Sequence, residues 1–132
     1  MANAEWELQK AIYTALTADS ALMALINGVY DYVQEDTAID YVTNGDDDFN
    51  VNDTKTSNGF LVYVDIHSWS ECNGRKGVKQ IMGEIYRILH KTALTISGFN
   101  HVGTFFDISK SFRDQDEKTY HGVQTFRIYM EQ

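Results

Sequence analysis

The densest group of side chains able to do chemistry is the acidic run Asp46, Asp47 and Asp48, with Asp53 close behind. Oxygen ligands at alternate positions, here Asp46, Asp48 and Asn50, open a calcium-binding loop, in which they wrap a hard cation. Such a loop also needs glycine at its sixth position, where the chain turns sharply, and a bidentate glutamate at its twelfth. Val51 and Ser57 stand there, so the run reads as a solvated acidic loop. His67, His90, His101 and His121 have no metal-ligand spacing among themselves and read as isolated surface or strand histidines. Cys72 is the only cysteine, which rules out an internal disulfide and a paired-cysteine zinc site. A nucleophile could be assembled from Cys72 or Ser70 with a histidine and Asp65 or Asp107, but almost any chain of this length permits that. No nucleophile elbow, phosphate-binding loop or dinucleotide-binding glycine pattern occurs, because the glycines are scattered at turns and in one helix. The expectation is no catalytic residue, no metal and no cofactor.

Charge is distributed unevenly along the chain. Lysine plus arginine total 11 against 19 aspartate plus glutamate, a formal net charge of -8, which opposes a basic nucleic-acid surface. Residues 11–54 hold no lysine or arginine but carry Asp19, Asp31, Glu35, Asp36, Asp40, Asp46, Asp47, Asp48 and Asp53. Residues 75–91 reverse this, with Arg75, Lys76, Lys79, Arg87 and Lys91 against Glu84 alone. An acid block and a basic block on one chain permit head-to-tail self-association, in which the acids of one copy meet the basic helix of the next and a ring forms if the rotation closes.

The elements that position these groups follow from periodicity. At 132 residues the chain fits a single domain, 1–132, and its 43% hydrophobic content is enough for a core. The N-terminal MANAEWELQK has no apolar segment of signal-peptide length, and no stretch approaches the ~20 apolar residues of a bilayer span, so synthesis in the cytoplasm is expected. Residues 3–17 predict a helix with Asn3 as N-cap and Ala4, Leu8, Ala11, Ile12 and Ala15 on one stripe. Asp19 or Ser20 caps a second short helix over 21–26, which Asn27-Gly28 ends by a left-handed stop, and 29–33 is extended. Residues 38–43 form a candidate strand, and a polar loop runs from Asn44-Gly45 to about Asn58.

Residues 59–69 alternate as a strand, with Phe60, Val62, Val64 and Ile66 toward the core. Asn73-Gly74 turns the chain into a long helix whose Val78, Ile81, Met82, Ile85, Ile88 and Leu89 share one stripe. Residues 101–113 and 119–130 predict a hairpin around the polar turn 114–118. Val102, Thr104, Phe106 and Ile108 share its core face with Phe126, Ile128 and Met130. The fold class is α+β, a mostly antiparallel sheet of about four strands with helices packed on one face.

The second face of that sheet carries Leu61, Tyr63, Trp69, Phe105 and Tyr129, a large apolar surface to leave in water. Two arrangements fit. Either it is a contact surface, or the first helix covers it with Trp6 and Tyr13, which project opposite the helix's own stripe.

Three stretches then carry a family likeness: ELQKAIYTALTADSALMALINGVYDYV near the start, the central WS..NGRKGVKQIMGEIYRILH, and the ending SFRDQDEKTYHGVQTFRIYM. Over nearly its whole length the chain resembles the tail terminator, or tail completion, family of long-tailed phages and prophages. The most specific pieces are Ile66-His67-Ser68-Trp69-Ser70 leading into the long helix and the closing strand 121–130. The resemblance implies a virion subunit made in the bacterial cytoplasm. It implies a hexameric ring that caps the tail tube protein, ends polymerisation and meets a head-completion or neck protein, with DNA passing through unbound. An acidic lining repels phosphate and suits such a passage. On that basis Asp46, Asp47, Asp48 and Asp53 are expected to face the lumen or tube. Trp6, Tyr13, Leu61, Tyr63, Trp69, Phe105, Tyr129, Arg75, Lys79 and Arg87 are expected at subunit contacts. A head-tail adaptor or stopper would also be small, acidic and ring-forming, and a DNA-mimicking inhibitor would share the acid block alone. The chain departs from its relatives in having no proline, where they carry prolines around 33–41.

Overall fold

The computed structural model describes residues 3–34, 37–56, 58–71, 74–113 and 118–132. Cys72, Asn73, Ser57 and the hairpin-turn residues 114–117, which the sequence reading used, lie outside them. The elements are α1 (Ala4–Thr17), α2 (Ser20–Met23), β1 (Val29–Tyr30), β2 (Tyr41–Val51), β3 (Gly59–Ser70), α3 (Lys76–Leu89), β4 (Asn100–Arg113) and β5 (Tyr120–Glu131). The strands make one sheet in the order β1-β2-β3-β5-β4. The fold is α+β with a mixed, five-stranded sheet, because β1 runs parallel to β2 while every other pair is antiparallel.

Local chemistry starts the helices where the sequence places them. Asn3 Oδ1 accepts hydrogen bonds from the Glu5 and Trp6 amides at 3.1 and 3.3 Å, and Asp19 Oδ1 accepts from the Leu22 amide at 3.0 Å. Each cap gives a partner to an amide that the first helical turn leaves unsatisfied. Glu5 and Glu7 add favourable negative charge at the α1 N-terminus. Ahead of α3, Gly74 takes φ +83°, the left-handed region that glycine enters without a Cβ clash.

Both long helices bury their stripes on the same face of the sheet. Leu8, Ala11, Ile12 and Leu16 of α1 and Ile81, Ile85, Ile88 and Leu89 of α3 join Val42, Val62, Val64, Ile66, Phe126, Ile128 and Met130 in one core. Each fully buried aliphatic side chain of this kind contributes roughly 1.5–3 kcal/mol. Gln124 is one of the buried polar residues, and its Nε2 donates to the Met82 carbonyl at 2.9 Å, tying β5 to α3.

Four expectations are corrected and one open alternative is decided. The sheet has five strands, since the extended stretch at Val29–Tyr30 joins it as β1. The acidic run lies in β2, which continues to Val51, and only residues 52–58 connect it to β3. An outer strand can be this polar because its main chain bonds to β3 whatever its side chains are. Residues 27 and 28 do not stop α2 in the left-handed region. The helix ends at Met23 with Ala24 right-handed, and the Asn27 amide donates to the Asp40 carbonyl at 2.7 Å. Val102 and Ile108 face solvent, 63% and 57% exposed, because register shifts at His101/Gly103 and Phe106/Ile108 reverse the alternation of β4. Finally, α1 does not cover the second sheet face, since its buried residues join the common core and Trp6 and Tyr13 are exposed.

Ile85→Ala is expected to destabilise the chain by about 2–5 kcal/mol, while Val102→Ala changes stability by less than about 0.5 kcal/mol. Urea unfolding curves measure both, and a comparable loss at Val102 would contradict the outward turn of β4.

Candidate interaction surface

Two faces emerge from this packing, one under helices and one open. On the open face the register lines up Tyr41, Trp69, His121 and Phe112 across four strands. Trp69 and His121 stack with ring centroids 3.6 Å apart and 12° between planes. Tyr41 lies 6.1 Å from Trp69, Tyr30 meets Tyr41 edge-on at 5.9 Å, and Phe112 meets His121 edge-on at 4.8 Å. His67 Nδ1 sits 2.8 Å from His121 Nε2, a bond that needs one ring to donate and the other to present a lone pair. An aromatic ladder thus crosses the sheet at one end.

The other end of the open face mixes apolar and charged groups. Phe105 and Tyr129 pack edge-on at 6.0 Å, and the Arg127 guanidinium lies 5.9 Å from the Phe105 ring centre. Arg127 also forms an ion pair with Asp107 at 3.4 Å, and Thr125 Oγ1 donates to Asp65 Oδ1 at 2.7 Å. Leu61, Tyr63, Trp69, Phe105 and Tyr129 are all half-buried, because neighbouring rings shield one another even without a covering layer.

The acids divide into two roles. Asp46, Asp47 and Asp48 are exposed on β2, beside the register shift between Asn44 and Asp47. Asp48 stands opposite Tyr63 on the open face and Asp47 opposite Val64 on the helix side. Burial pushes the Asp47 carboxyl above its usual range, and the nearby charges of Glu5, Asp48 and Asp46 push it further. Asp53 instead accepts from the Gly59 amide at 2.9 Å and closes the turn into β3.

The basic residues of α3 are likewise split. Arg87 Nη2 donates to both carboxylate oxygens of Asp19 at 2.8 Å and reaches Glu84 at 2.7 Å, so its charge meets the acid block of its own chain. The Arg87 hydrogen bond and the Leu22 amide hold the Asp19 carboxyl below its usual range. Arg75 lies over the Tyr120 ring at 5.9 Å, and Lys79 borders a groove of about 370 Å³ that also involves Tyr86, Lys110 and Gln124. Among the described residues, no three His, Cys, Asp or Glu side chains are grouped to hold a metal ion, and no helix is long and apolar enough to cross a membrane.

A family model described as tail completion protein gp17 matches residues 10–131 of this chain. The chain belongs to that family. It is by family a tail completion protein. The chain is 28% identical to the tail completion protein gp17 of Bacillus phage SPP1 over 121 residues, 92% of this chain and 90% of that one. A chain in the virion of a native gene transfer agent particle superposes with TM-score 0.90 at 27% identity over the full length of both. The solved structure of bacteriophage SPP1 gp17 gives TM-score 0.65 at 25% identity, covering 97% of this chain and 95% of that one.

The reading of isolated histidines is corrected by tertiary structure. Antiparallel pairing of β3 with β5 sets Trp69 opposite His121 and brings His67 onto the His121 ring, a neighbourhood that residues 54 positions apart do not announce. Tyr41 joins the same ladder: periodicity places it in a strand but gives it no neighbour, since its partner Trp69 lies far on along the chain and meets it only through the pairing of β2 with β3. The other two histidines hold the outer side of β4. His90 Nδ1 accepts from the Phe106 amide at 2.9 Å. His101 Nδ1 accepts from the Leu94 amide at 3.3 Å, which leaves its proton on Nε2, 2.6 Å from Thr104 Oγ1.

Burial pushes the His101 pKa below its ordinary 6.5. The folded state therefore binds this proton more weakly than the unfolded chain does. The associated stability is complete above the unfolded value and is lost as pH falls through the folded one. His101→Gln is expected to flatten the decline in melting temperature between pH 7 and pH 5. An unchanged slope would remove this role.

Proposed function

We propose that this tail completion protein forms a ring at the head-proximal end of the tail tube, stops tube polymerisation there and joins tail to head. It acts through surfaces and performs no catalysis. Its partners are further copies of itself in a homohexamer, the tail tube protein, and a head-completion or neck protein. The observation that carries this reading is the likeness, along the whole chain, to a subunit of an assembled virion particle.

The physical character of the surface supports it. The open face and the exposed side of α1 offer Leu61, Tyr63, Trp69, Phe105, Tyr129, Trp6 and Tyr13 for subunit contact, with Arg75, Lys79 and Arg87 as the charged complement. Half-buried aromatic groups supply large contact area at small entropic loss, which is why they concentrate at protein interfaces. A net charge of -8 per copy keeps the passage negative on the whole and lets DNA move through without adhering, with Asp46, Asp47, Asp48 and Asp53 contributing to that field where neighbouring cations do not neutralise them.

Purified protein mixed with self-assembling tail tube protein is expected to yield short tubes capped at one end by a ring in electron micrographs. Tubes that lengthen without limit in its presence, or a protein that partitions to DNA-filled heads and ignores tubes, would overturn the reading.

A further inference from the structure

Sheet edges present main-chain N–H and C=O groups without partners, and a folded chain must cover, charge or pair them. Here each edge is covered along only part of its length. On one side β1 pairs with Val42 and Thr43 alone, so the outer side of 46–51 has no main-chain partner among the described residues. On the other side the Lys91 amide donates to the Thr104 carbonyl at 2.8 Å and His90 takes the Phe106 amide. Beyond them the outer side of 107–113 is uncovered among the described residues.

The two uncovered stretches are complementary. One carries Asp46, Asp47 and Asp48 and the other Lys110 and Arg113, and none of the five forms a salt bridge among the described residues. Each also exposes an apolar side chain, Val51 at 78% and Ile108 at 57%. Strand direction fits as well. Because β2, β3, β5 and β4 alternate, β2 and β4 run oppositely. Laying β4 of one copy beside β2 of the next, helices on the same side, therefore continues the antiparallel pattern.

We infer that copies of this chain join by strand addition, the uncovered edge of β4 in one pairing antiparallel with the uncovered edge of β2 in the next. The inference rests on the ring reading above and names its seam. Lys110 and Asp48 both belong to the open face, opposite Val123 and Tyr63, and stand across the seam from each other. That register sets Ile108 beside Asn50 and places Arg113, on the helix side, diagonal to Asp47. Desolvation first, and then the charges of Glu5, Asp48 and Asp46, push the Asp47 carboxyl up, and these cations offset the like-charge part. Contacts of this head-to-tail kind close into rings when the rotation allows. The partial covers from β1 and from residues 90–91 limit pairing to the complementary segments.

The test uses two charge-reversed chains, K110E/R113E and D46K/D48K, compared with wild type for capping tail tubes. All four positions are exposed, so melting curves close to wild type are expected. Each variant alone places like charges across the seam and needs roughly tenfold more protein for half-maximal capping. An equimolar mixture recovers capping, because alternating copies again offer opposite edges. Wild-type capping by both variants alone, or failure of the mixture, overturns the strand pairing and leaves the ring standing. A wild-type chain that never caps tubes overturns both. Amide hydrogen exchange on the wild-type chain gives an answer that needs no variant: 46–51 and 107–113 become protected on capped tubes. Unchanged exchange there, in rings that do form, also overturns the pairing.

Discussion

The structure depends on one burial: the apolar stripes of α1 and α3 share a single face of the sheet. Side chains alternate across a strand, so once Val62, Val64 and Ile66 go under the helices, Leu61, Tyr63 and Trp69 must go to the other side. The same constraint acts on β5 through Phe126, Ile128 and Met130. A one-residue slip in either strand would exchange core for surface. The open face is therefore a direct consequence of the core, and its aromatic content is what remains once the helices are satisfied.

That open face is organised by pairwise contacts, and no layer among the described residues covers it. Trp69 and His121 stack, Tyr41 and Phe112 flank them, and the His67 nitrogen bonds to His121. Offset and edge-on arrangements let ring edges meet ring faces, which adds to the area they hide from water. Arg127 plays a similar part at the far end, where one guanidinium serves Phe105 and Asp107. A surface held in place by its own contacts needs little rearrangement to receive a partner, which suits a protein that joins a tube, a neck and its own copies.

Electrostatics act at two levels. Within the subunit, the attraction between acid block and basic helix is partly used at Arg87 and Asp19, where α3 is tied to the cap of α2. The rest of the basic block stays on or beside α3, while the acids of β2 are set against a second, smaller group of bases, Lys110 and Arg113 of β4, at the opposite side of the sheet.

The elements with strong periodicity were legible without tertiary structure. The six-residue stripe of α3, the Asn3 and Asp19 caps and the core faces of β3 and β5 appear as their patterns imply, because local chemistry and a single buried face decide them. The family was legible too, from three stretches spread across the chain and later the matched residues 10–131. What pattern could not reach depended on neighbours distant in sequence. The acidic run became a strand because β3 offered it main-chain partners. Val102 and Ile108 turned outward because two bulges against β5 reversed their parity. His67 and His121 met only through pairing of strands far apart along the chain. Periodicity thus determined which side chains of α3, β3 and β5 had to be buried, and the three quoted stretches carried the likeness to the family. Strand register, a property of paired chains with a two-residue repeat, decided which of the remaining groups stand together on the surface.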